Sequence, residues 1–188
     1  MTFYRRRLPH WHPEREDIFL TWRLFGSLPA DVSQDISKLD SSRYGERFRA
    51  IDRRLDRCSE GPLWLKDPRI AAQLVGAIEK GEHELRAYAL HAFVVMPNHV
   101  HMLISPMVPL VAITKGLKGS TARFANRCLG MGGKRFWQDE SFDHWVRTPE
   151  QFEKIAHYIE SNACSAGLVS CAELWPWSSA NRRKKALA

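Results

Sequence analysis

The sequence predicts an α+β fold, in which helices pack on a mainly antiparallel sheet. Segments with strand and helix periodicity follow one another in the order β-α-(α)-β-β-α-β-α. Two of the strands, at 86–95 and 99–105, are separated only by the turn 96–98, which is too short for the crossover that a parallel pair needs. No repeat or Gly/Ser linker divides the 188 residues, so we expect one domain over residues 1–188.

The first predicted elements are a strand and a partly helical segment. Residues 17–24 are rich in β-branched and aromatic side chains and precede Gly26, which is typical of a strand. Residues 30–58 are expected to be helical in part. Residues 31–60 carry seven acidic and seven basic residues, and this mixed-sign pattern indicates a solvated helical face, to which we assign no role.

The clearest helix signal in the sequence is Asp67 followed by Pro68. Aspartate is a favourable N-cap, and proline suits the first helical turn. We expect this helix to end at Gly81. Its apolar stripe consists of Ile70, Leu74, Val75 and Ile78.

The second half of the chain continues with a helix, a strand and another helix. The helix at 109–129 ends in a glycine-rich loop, and residues 142–147 form the next strand. Thr148 then begins a capping box with Pro149 at the first helical position, which predicts a helix that continues to Gly167.

Basic residues outnumber acidic ones by 28 to 21, for a formal net charge of +7 and a pI near 9.5. This surplus suggests a polyanion as partner, although an ordinary solvated surface explains it equally well. The excess is concentrated at both ends and in one middle segment, which together would line a single groove. Its members are Arg5, Arg6, Arg7, Lys115, Lys118, Arg123, Arg127, Lys134, Arg135, Arg182, Arg183, Lys184 and Lys185.

Other features argue against membrane proteins and disulfide-stabilised proteins. No apolar run approaches the roughly 18 residues needed to cross a bilayer. The basic residues near the N-terminus are followed by polar ones, where a signal peptide needs an apolar stretch. The four cysteines are scattered and form no CxxC pair, so neither a disulfide framework nor a zinc knuckle is expected. We therefore expect a cytoplasmic protein with no membrane contact and no small-molecule cofactor.

Two histidines on the second hairpin strand are candidate metal ligands. Because alternate residues of a strand share a face, His99 and His101 project together, opposite to Val100, Met102 and Ile104. Two imidazoles at this spacing can bind one divalent cation. The alternative is a pair of surface polar residues on a half-exposed strand.

Tyr158 and Asn162 lie four residues apart on the last predicted helix, along one flank of its buried stripe. From that flank Tyr158 could act as a nucleophile and Asn162 as an oxygen ligand of the same metal ion. The alternative is a tyrosine ring that packs at the edge of the core with its hydroxyl in water.

Several strings in the sequence resemble the REP-associated tyrosine transposases, which belong to the HUH superfamily of single-strand DNA transposases. Residues 91–103 contain the signature in which two histidines flank one bulky hydrophobic residue. Residues 158–162 resemble the catalytic-tyrosine helix of that family. Further matches follow in order along nearly the whole chain, at residues 4–6, 117–126, 136–144 and 175–179.

The resemblance implies a ferredoxin-like HUH fold and cleavage and rejoining of single-stranded DNA next to a palindromic hairpin. It makes Tyr158 the nucleophile that forms a 5′-phosphotyrosine, and His99, His101 and Asn162 the ligands of Mg²⁺ or Mn²⁺. It also favours a monomer over a dimer. One departure is the stretch 163–165, where the family usually has a basic residue; its loss is expected to weaken a phosphate contact and leave the chemistry intact.

DNA binding needs positive charge together with stacking surfaces. Trp137 and Trp145 would either stack on unpaired bases or belong to the core. The expected contacts to DNA are Arg5, Arg6, Arg7, Lys115, Lys118, Arg123 and Arg127.

Two other functions remain as alternatives to the transposase. One is a catalytically idle protein of the same fold that binds hairpin DNA, and the other is a metallohydrolase that uses the two histidines without a covalent intermediate. The presence of His99, His101, Tyr158 and Asn162 together favours the transposase, because a protein that only binds DNA does not need all four.

Overall fold

The computed structural model of the chain describes residues 2–5, 9–12, 16–28, 44–57 and 61–186. Its strands form a separate hairpin and a four-stranded sheet. The hairpin consists of β1 (Thr2–Arg5) and β2 (Pro9–His12). The sheet consists of β3 (Ile18–Arg23), β4 (Tyr88–Val95), β5 (His99–Pro106) and β6 (Phe142–Trp145). Neighbouring strands are antiparallel in the order β4-β5-β3-β6, which confirms the predicted fold class.

Five helices belong to the described part of the chain. They are α1 (Tyr44–Asp56), α2 (Pro68–His83), α3 (Leu110–Cys128), α4 (Pro149–Ser165) and α5 (Ser179–Ala186). Short 3₁₀ helices occur at Trp64–Lys66 and Ala172–Leu174. The two predicted N-caps are confirmed, since the Asp67 carboxylate accepts a hydrogen bond from Arg69 N and the Thr148 hydroxyl accepts one from Gln151 N.

The larger core lies between one face of the sheet and helices α2 and α3. On β5, the alternate residues Val100, Met102 and Ile104 are buried on this side, as the period of a strand requires. The predicted stripe of α2 is completely buried against them, and α3 contributes Ile113 and Leu117. This face holds no part of the candidate metal site.

The opposite face of the sheet is covered by α4, with α1 packed beside it. Phe19 from β3 and Leu103 from β5 are buried there against Ile159 and Ala163 of α4. Phe48 of α1 packs against the same cluster. Because α1 and α4 meet the sheet on the side to which His99 and His101 project, any polar group on their inner faces lies next to the imidazoles.

The edge strand β4 is covered by the segment that precedes α5. Trp177 O accepts a hydrogen bond from Val95 N at 2.8 Å, and the Trp175 indole donates one to Val95 O at 2.9 Å. The Ser179 hydroxyl accepts a further bond from Phe93 N. Pairing these groups protects a strand edge that would otherwise be open to another chain, so the string 175–179 has a structural role.

Gly81 lies inside α2, and the expectation that it ends the helix was wrong. The helix continues to His83, because glycine at this position serves a close approach and not a break. The ring of Tyr88 packs against the Cα of Gly81, and the Tyr88 hydroxyl donates a hydrogen bond of 2.7 Å to Ile78 O. A Cβ on Gly81 would overlap that ring.

Replacement of Gly81 by alanine is expected to destabilise the protein by about 1–3 kcal/mol, the usual range for overpacking a core. Gly76→Ala is the matched control, because Gly76 is exposed on the same helix and a Cβ there has no atom within 4 Å. It should stabilise the protein by about 0.5–1 kcal/mol through helix propensity. Urea unfolding measures both, and equal effects of the two variants would contradict the packing described here.

Candidate metal and nucleophile site

His99 and His101 form the centre of the candidate site. Both imidazoles have 0% exposure, so the interpretation as surface polar residues was wrong. Their Nε2 atoms lie 3.0 Å apart. If both Nε2 atoms lacked a proton, their lone pairs would repel each other at this distance. The pair therefore needs a proton or a cation between the two nitrogens.

Hydrogen bonds from neighbouring elements hold both rings by their Nδ1 atoms. Asn98 Oδ1 lies 2.7 Å from His99 Nδ1, and the Asn98 amide nitrogen donates to Leu55 O. That second bond orients the amide, so its oxygen faces His99 and the imidazole carries its proton on Nδ1. On the other ring, the Thr21 hydroxyl lies 2.7 Å from His101 Nδ1, because β3 and β5 pair these residues directly. Both Nε2 atoms are thereby directed into the site.

Burial keeps His99 in its neutral form. Desolvation, followed by the neighbouring His101, lowers the pKa of His99 to about 3. A neutral imidazole is the form that binds metal, so this residue is a competent ligand at any physiological pH.

Two carboxylates of α1 complete the cluster, and the sequence analysis missed them. Asp52 Oδ1 lies 3.2 Å from His101 Nε2, and Asp56 Oδ1 lies 3.5 Å from His99 Nε2. Asp52 has 3% exposure. The helix does have the predicted solvated face, with Glu46, Arg49, Arg53 and Arg54 exposed, but the interpretation was wrong for Asp52 and Asp56. Residues 29–43 and 58–60 lie outside the described part of the chain.

A signal for these carboxylates existed in the spacing of α1. Phe48, Asp52, Leu55 and Asp56 recur at helical intervals, and all four turn toward the sheet. Charge counting concealed this pattern, because it treated every acidic residue of the segment as equivalent.

The two carboxylates have opposite pKa shifts. Burial alone would raise the pKa of Asp52, but the nearby His101 and His99 hold it below its ordinary value. Burial, together with the charge of Asp52, raises the pKa of Asp56 to about 7. In the protein without metal, Asp52 is thus ionised, and its negative charge makes ionisation of Asp56 less favourable.

Asn162 and Tyr158 reach the site from α4. Asn162 has 1% exposure, and neither atom of its side-chain amide has a standard hydrogen bond. The Tyr158 ring lies 5.6 Å from the His101 ring and 6.2 Å from the Phe19 ring, between centroids. It lines an open cleft together with Asp52 and Asp56. Tyr158 therefore lies beside His101, and Asn162 lies beside the Asp56 carboxylate.

The residues present fit a divalent cation. One donor atom from each of Asp52, Asp56, His99 and His101 lies within 4.8 Å of the others. Buried polar atoms without partners are uncommon in folded proteins, and Asn162 adds a buried amide oxygen of this kind. Imidazole nitrogen with carboxylate and amide oxygen suits Mn²⁺ or Mg²⁺ and does not select between them.

The predicted DNA-contacting residues lie elsewhere. Lys115, Arg123 and Arg127 are exposed on α3, across the sheet from the histidines. The Lys118 ammonium donates to the Gln138 and Asp139 carbonyls at 2.6 and 2.9 Å and thereby ties α3 to the loop before β6. Arg5 ends β1, and Arg6 and Arg7 lie outside the described residues.

Trp137 belongs to the core and is not available to stack on bases. It has 5% exposure, and its indole donates a hydrogen bond to the Thr121 hydroxyl. Trp145 is half-buried on β6, with the Arg147 guanidinium over its ring.

The sequence also matches a known protein family. The sequence pattern described as "Transposase IS200 like" matches residues 66–162, which is more than half of the chain and includes both histidines, Tyr158 and Asn162. The chain belongs to the IS200-like transposase family. No curated protein matches the sequence significantly.

Two solved structures resemble this IS200-like transposase to different degrees. A REP-associated tyrosine transposase bound to a REP hairpin aligns with a TM-score of 0.58 and 17% identity, over 97% of this chain and 84% of that chain. A candidate transposase from Deinococcus radiodurans aligns with a TM-score of 0.33 and 18% identity, over 81% of this chain and 95% of that chain. The first match confirms the predicted α+β fold, in which helices pack on a mainly antiparallel sheet. Within the described residues, no helix of the transposase is long and apolar enough to cross a membrane.

The raised pKa of Asp56 predicts a pH dependence in metal-free protein. Its folded pKa of about 7 lies above the value of 3.8 for an ordinary aspartate, so the folded state is penalised as pH rises through this window. Asp56→Asn removes the penalty. The gain in urea-unfolding free energy from Asp56→Asn should therefore be larger at about pH 8 than at about pH 4, measured with EDTA.

Glu46→Gln is the control, because it removes an exposed carboxylate from the same helix. Its effect at the two pH values shows how much the loss of an exposed carboxylate contributes by itself. If the effect of Asp56→Asn changed no more between the two pH values than that of Glu46→Gln, the described environment of Asp56 would be wrong.

Proposed function

We propose that this protein is a metal-dependent, single-stranded DNA transposase that cleaves and rejoins DNA next to palindromic hairpins through a 5′-phosphotyrosine. The observation that carries the proposal is the proximity of Tyr158 to His101, one of two buried imidazoles whose Nε2 atoms lie 3.0 Å apart. Membership of the transposase family and the fold shared with a hairpin-bound REP-associated transposase support the same activity.

Tyr158 is the nucleophile in this proposal. Its phenol oxygen attacks the scissile phosphorus, the bond from phosphorus to the 3′ oxygen breaks, and that oxygen leaves with a proton as a free 3′-hydroxyl. The phenol gives up its proton as the new bond forms. The phosphotyrosine conserves the energy of the broken bond, so a 3′-hydroxyl can later attack it and rejoin the strand.

His99, His101 and Asn162 hold Mg²⁺ or Mn²⁺ in this proposal. The bound cation would supply a Lewis acid for the scissile phosphate. Asn98 and Thr21 keep the imidazoles in place during the reaction, since they hold the Nδ1 atoms that face away from the cation. We expect a monomer as the active form, as the sequence resemblance implies.

The DNA path in this proposal runs around the β6 edge of the sheet. A groove beside α3 is lined by Lys115, Lys134 and Ser141, and the cleft at Tyr158 is lined by Phe142 and other residues. Because Ser141 and Phe142 are consecutive, the groove and the cleft meet at this edge. A hairpin bound along α3 can thus deliver its single strand to the tyrosine, with Arg123 and Arg127 as further phosphate contacts.

Tyr158→Phe should abolish the covalent protein–DNA adduct, because phenylalanine lacks the attacking oxygen. The assay incubates the protein with a single-stranded hairpin oligonucleotide and Mn²⁺ and separates the products on a denaturing gel. Tyr88→Phe is the control, since it removes a buried tyrosine hydroxyl on the opposite face of the sheet, and it should form the adduct as the wild type does.

Other outcomes of this assay identify the alternatives. An adduct in Tyr158→Phe would refute the nucleophile assignment. Cutting without an adduct would mean a metallohydrolase, and a gel shift without cutting would mean a hairpin-binding protein.

Lys115→Ala should weaken hairpin binding and lower the slope of log affinity against log salt by about one, as the loss of one phosphate contact predicts. Fluorescence anisotropy of a labelled hairpin at several salt concentrations measures both quantities. Lys80→Ala serves as the control, because Lys80 is exposed on α2, away from the groove, and pairs with Glu84. Identical slopes for the two variants would contradict the proposed path.

A further inference from the structure

We propose that Asp52 and Asp56 are direct ligands of the catalytic cation, so that α1 contributes two carboxylates to a site whose other donors are His99, His101 and Asn162. This inference rests on the divalent-cation role proposed above and extends it. The sequence resemblance supplies only the two histidines and the asparagine, whereas the carboxylates come from a helix to which the sequence analysis assigned no role.

The distances between donor atoms are those of neighbouring ligands. Around a cation with ligands at about 2.1 Å, adjacent donors of an octahedral site lie about 3 Å apart. The Nε2 atoms lie 3.0 Å apart, His101 Nε2 lies 3.2 Å from Asp52 Oδ1, and His99 Nε2 lies 3.5 Å from Asp56 Oδ1. His99 Nε2 and Asp52 Oδ1 are 4.0 Å apart, close to the roughly 4.2 Å between opposite ligands of such a site. The four donors, all within 4.8 Å of one another, are therefore grouped closely enough for one small cation.

The carboxylates face the ligand side of the imidazoles. A carboxylate that only orients a metal-binding histidine accepts a hydrogen bond from the ring nitrogen opposite the metal. Here that nitrogen is Nδ1 in both rings, and Asn98 and Thr21 already occupy it. Asp52 and Asp56 approach Nε2 instead, which is where a cation binds.

Unpartnered buried atoms point to a missing ligand. The side chains of Asp56 and Asn162 interact with each other, yet Asp56 Oδ1 and the Asn162 amide oxygen are buried without a hydrogen bond of ordinary geometry. Buried charges in proteins are normally paired or bound to a metal, and no lysine or arginine is paired with Asp52 or Asp56 among the described residues. A divalent cation would satisfy the carboxylates, the imidazoles and the amide together.

Aromatic packing holds α1 in the register that this role needs. The Phe48 ring stacks on the Phe142 ring with 4.0 Å between centroids and meets the Phe19 ring edge-on at 5.3 Å. One turn further along the helix, Asp52 reaches His101. At the end of the helix, the Leu55 carbonyl is bound by Asn98. Contacts of Phe48 and of the Leu55 carbonyl therefore fix the position of the helix segment that carries Asp52 and Asp56.

The test measures Mn²⁺ binding by the 188-residue protein without DNA. Binding is detected as a decrease in the electron paramagnetic resonance signal of free Mn²⁺. Asp52→Asn and Asp56→Asn should each weaken binding by more than the roughly 10- to 100-fold that loss of a supporting partner costs. Glu46→Gln, which removes an exposed carboxylate from the same helix, should bind as the wild type does. The losses should persist at about 0.5 M salt, where long-range attraction is screened.

His99→Ala separates this inference from the proposed function. If it abolishes binding while both aspartate variants bind as the wild type does, the carboxylates are not ligands and the proposed metal site stands. If the aspartate losses disappear at high salt, the carboxylates only attract the cation, and the inference is likewise overturned. If His99→Ala also binds normally, the metal site of the proposed function itself fails. Circular dichroism of each variant verifies that it is folded.

Discussion

The site depends on the side-chain amide of Asn98, which joins three parts of the molecule. Its nitrogen binds the Leu55 carbonyl at the end of α1, and its oxygen faces His99 Nδ1 at the start of β5. One side chain in the hairpin turn therefore sets both the tautomer of an imidazole and the position of a helix. Since an amide has a donor end and an acceptor end, it can satisfy both demands in one orientation only.

The two faces of the sheet have different roles: one carries most of the hydrophobic core, and the other carries the candidate site. The α2–α3 face is mainly apolar and carries the larger core, with Tyr88 packed against Gly81. The α1–α4 face combines a small aromatic cluster with the imidazoles, the carboxylates and Asn162. Such polar groups are tolerated in a protein interior only when something binds them. These polar groups lower the stability of the metal-free protein, but they make this face suitable for binding a cation next to Tyr158.

Much of the fold was predictable, because local signals were strong and agreed with one another. The short turn at 96–98, the caps at Asp67 and Thr148, and the period-2 pattern of β5 each point to one structure. The boundary at Gly81 failed because glycine is a helix terminator in isolation but allows close packing here. Trp137 could not be assigned for a similar reason, since its burial depends on α3, which is distant in sequence.

The sequence by itself determined that His99 and His101 share a face of one strand, and that Tyr158 and Asn162 share a flank of one helix. Periodicity is a local property, so four residues at these spacings suffice to show it. Only the tertiary structure decided that the two pairs meet, that the histidines are fully buried, and that Asp52 and Asp56 join them. The reason is that burial and donor distances depend on which helix covers which face of the sheet. The net charge of residues 31–60 is zero, and it does not indicate which of their side chains face the sheet.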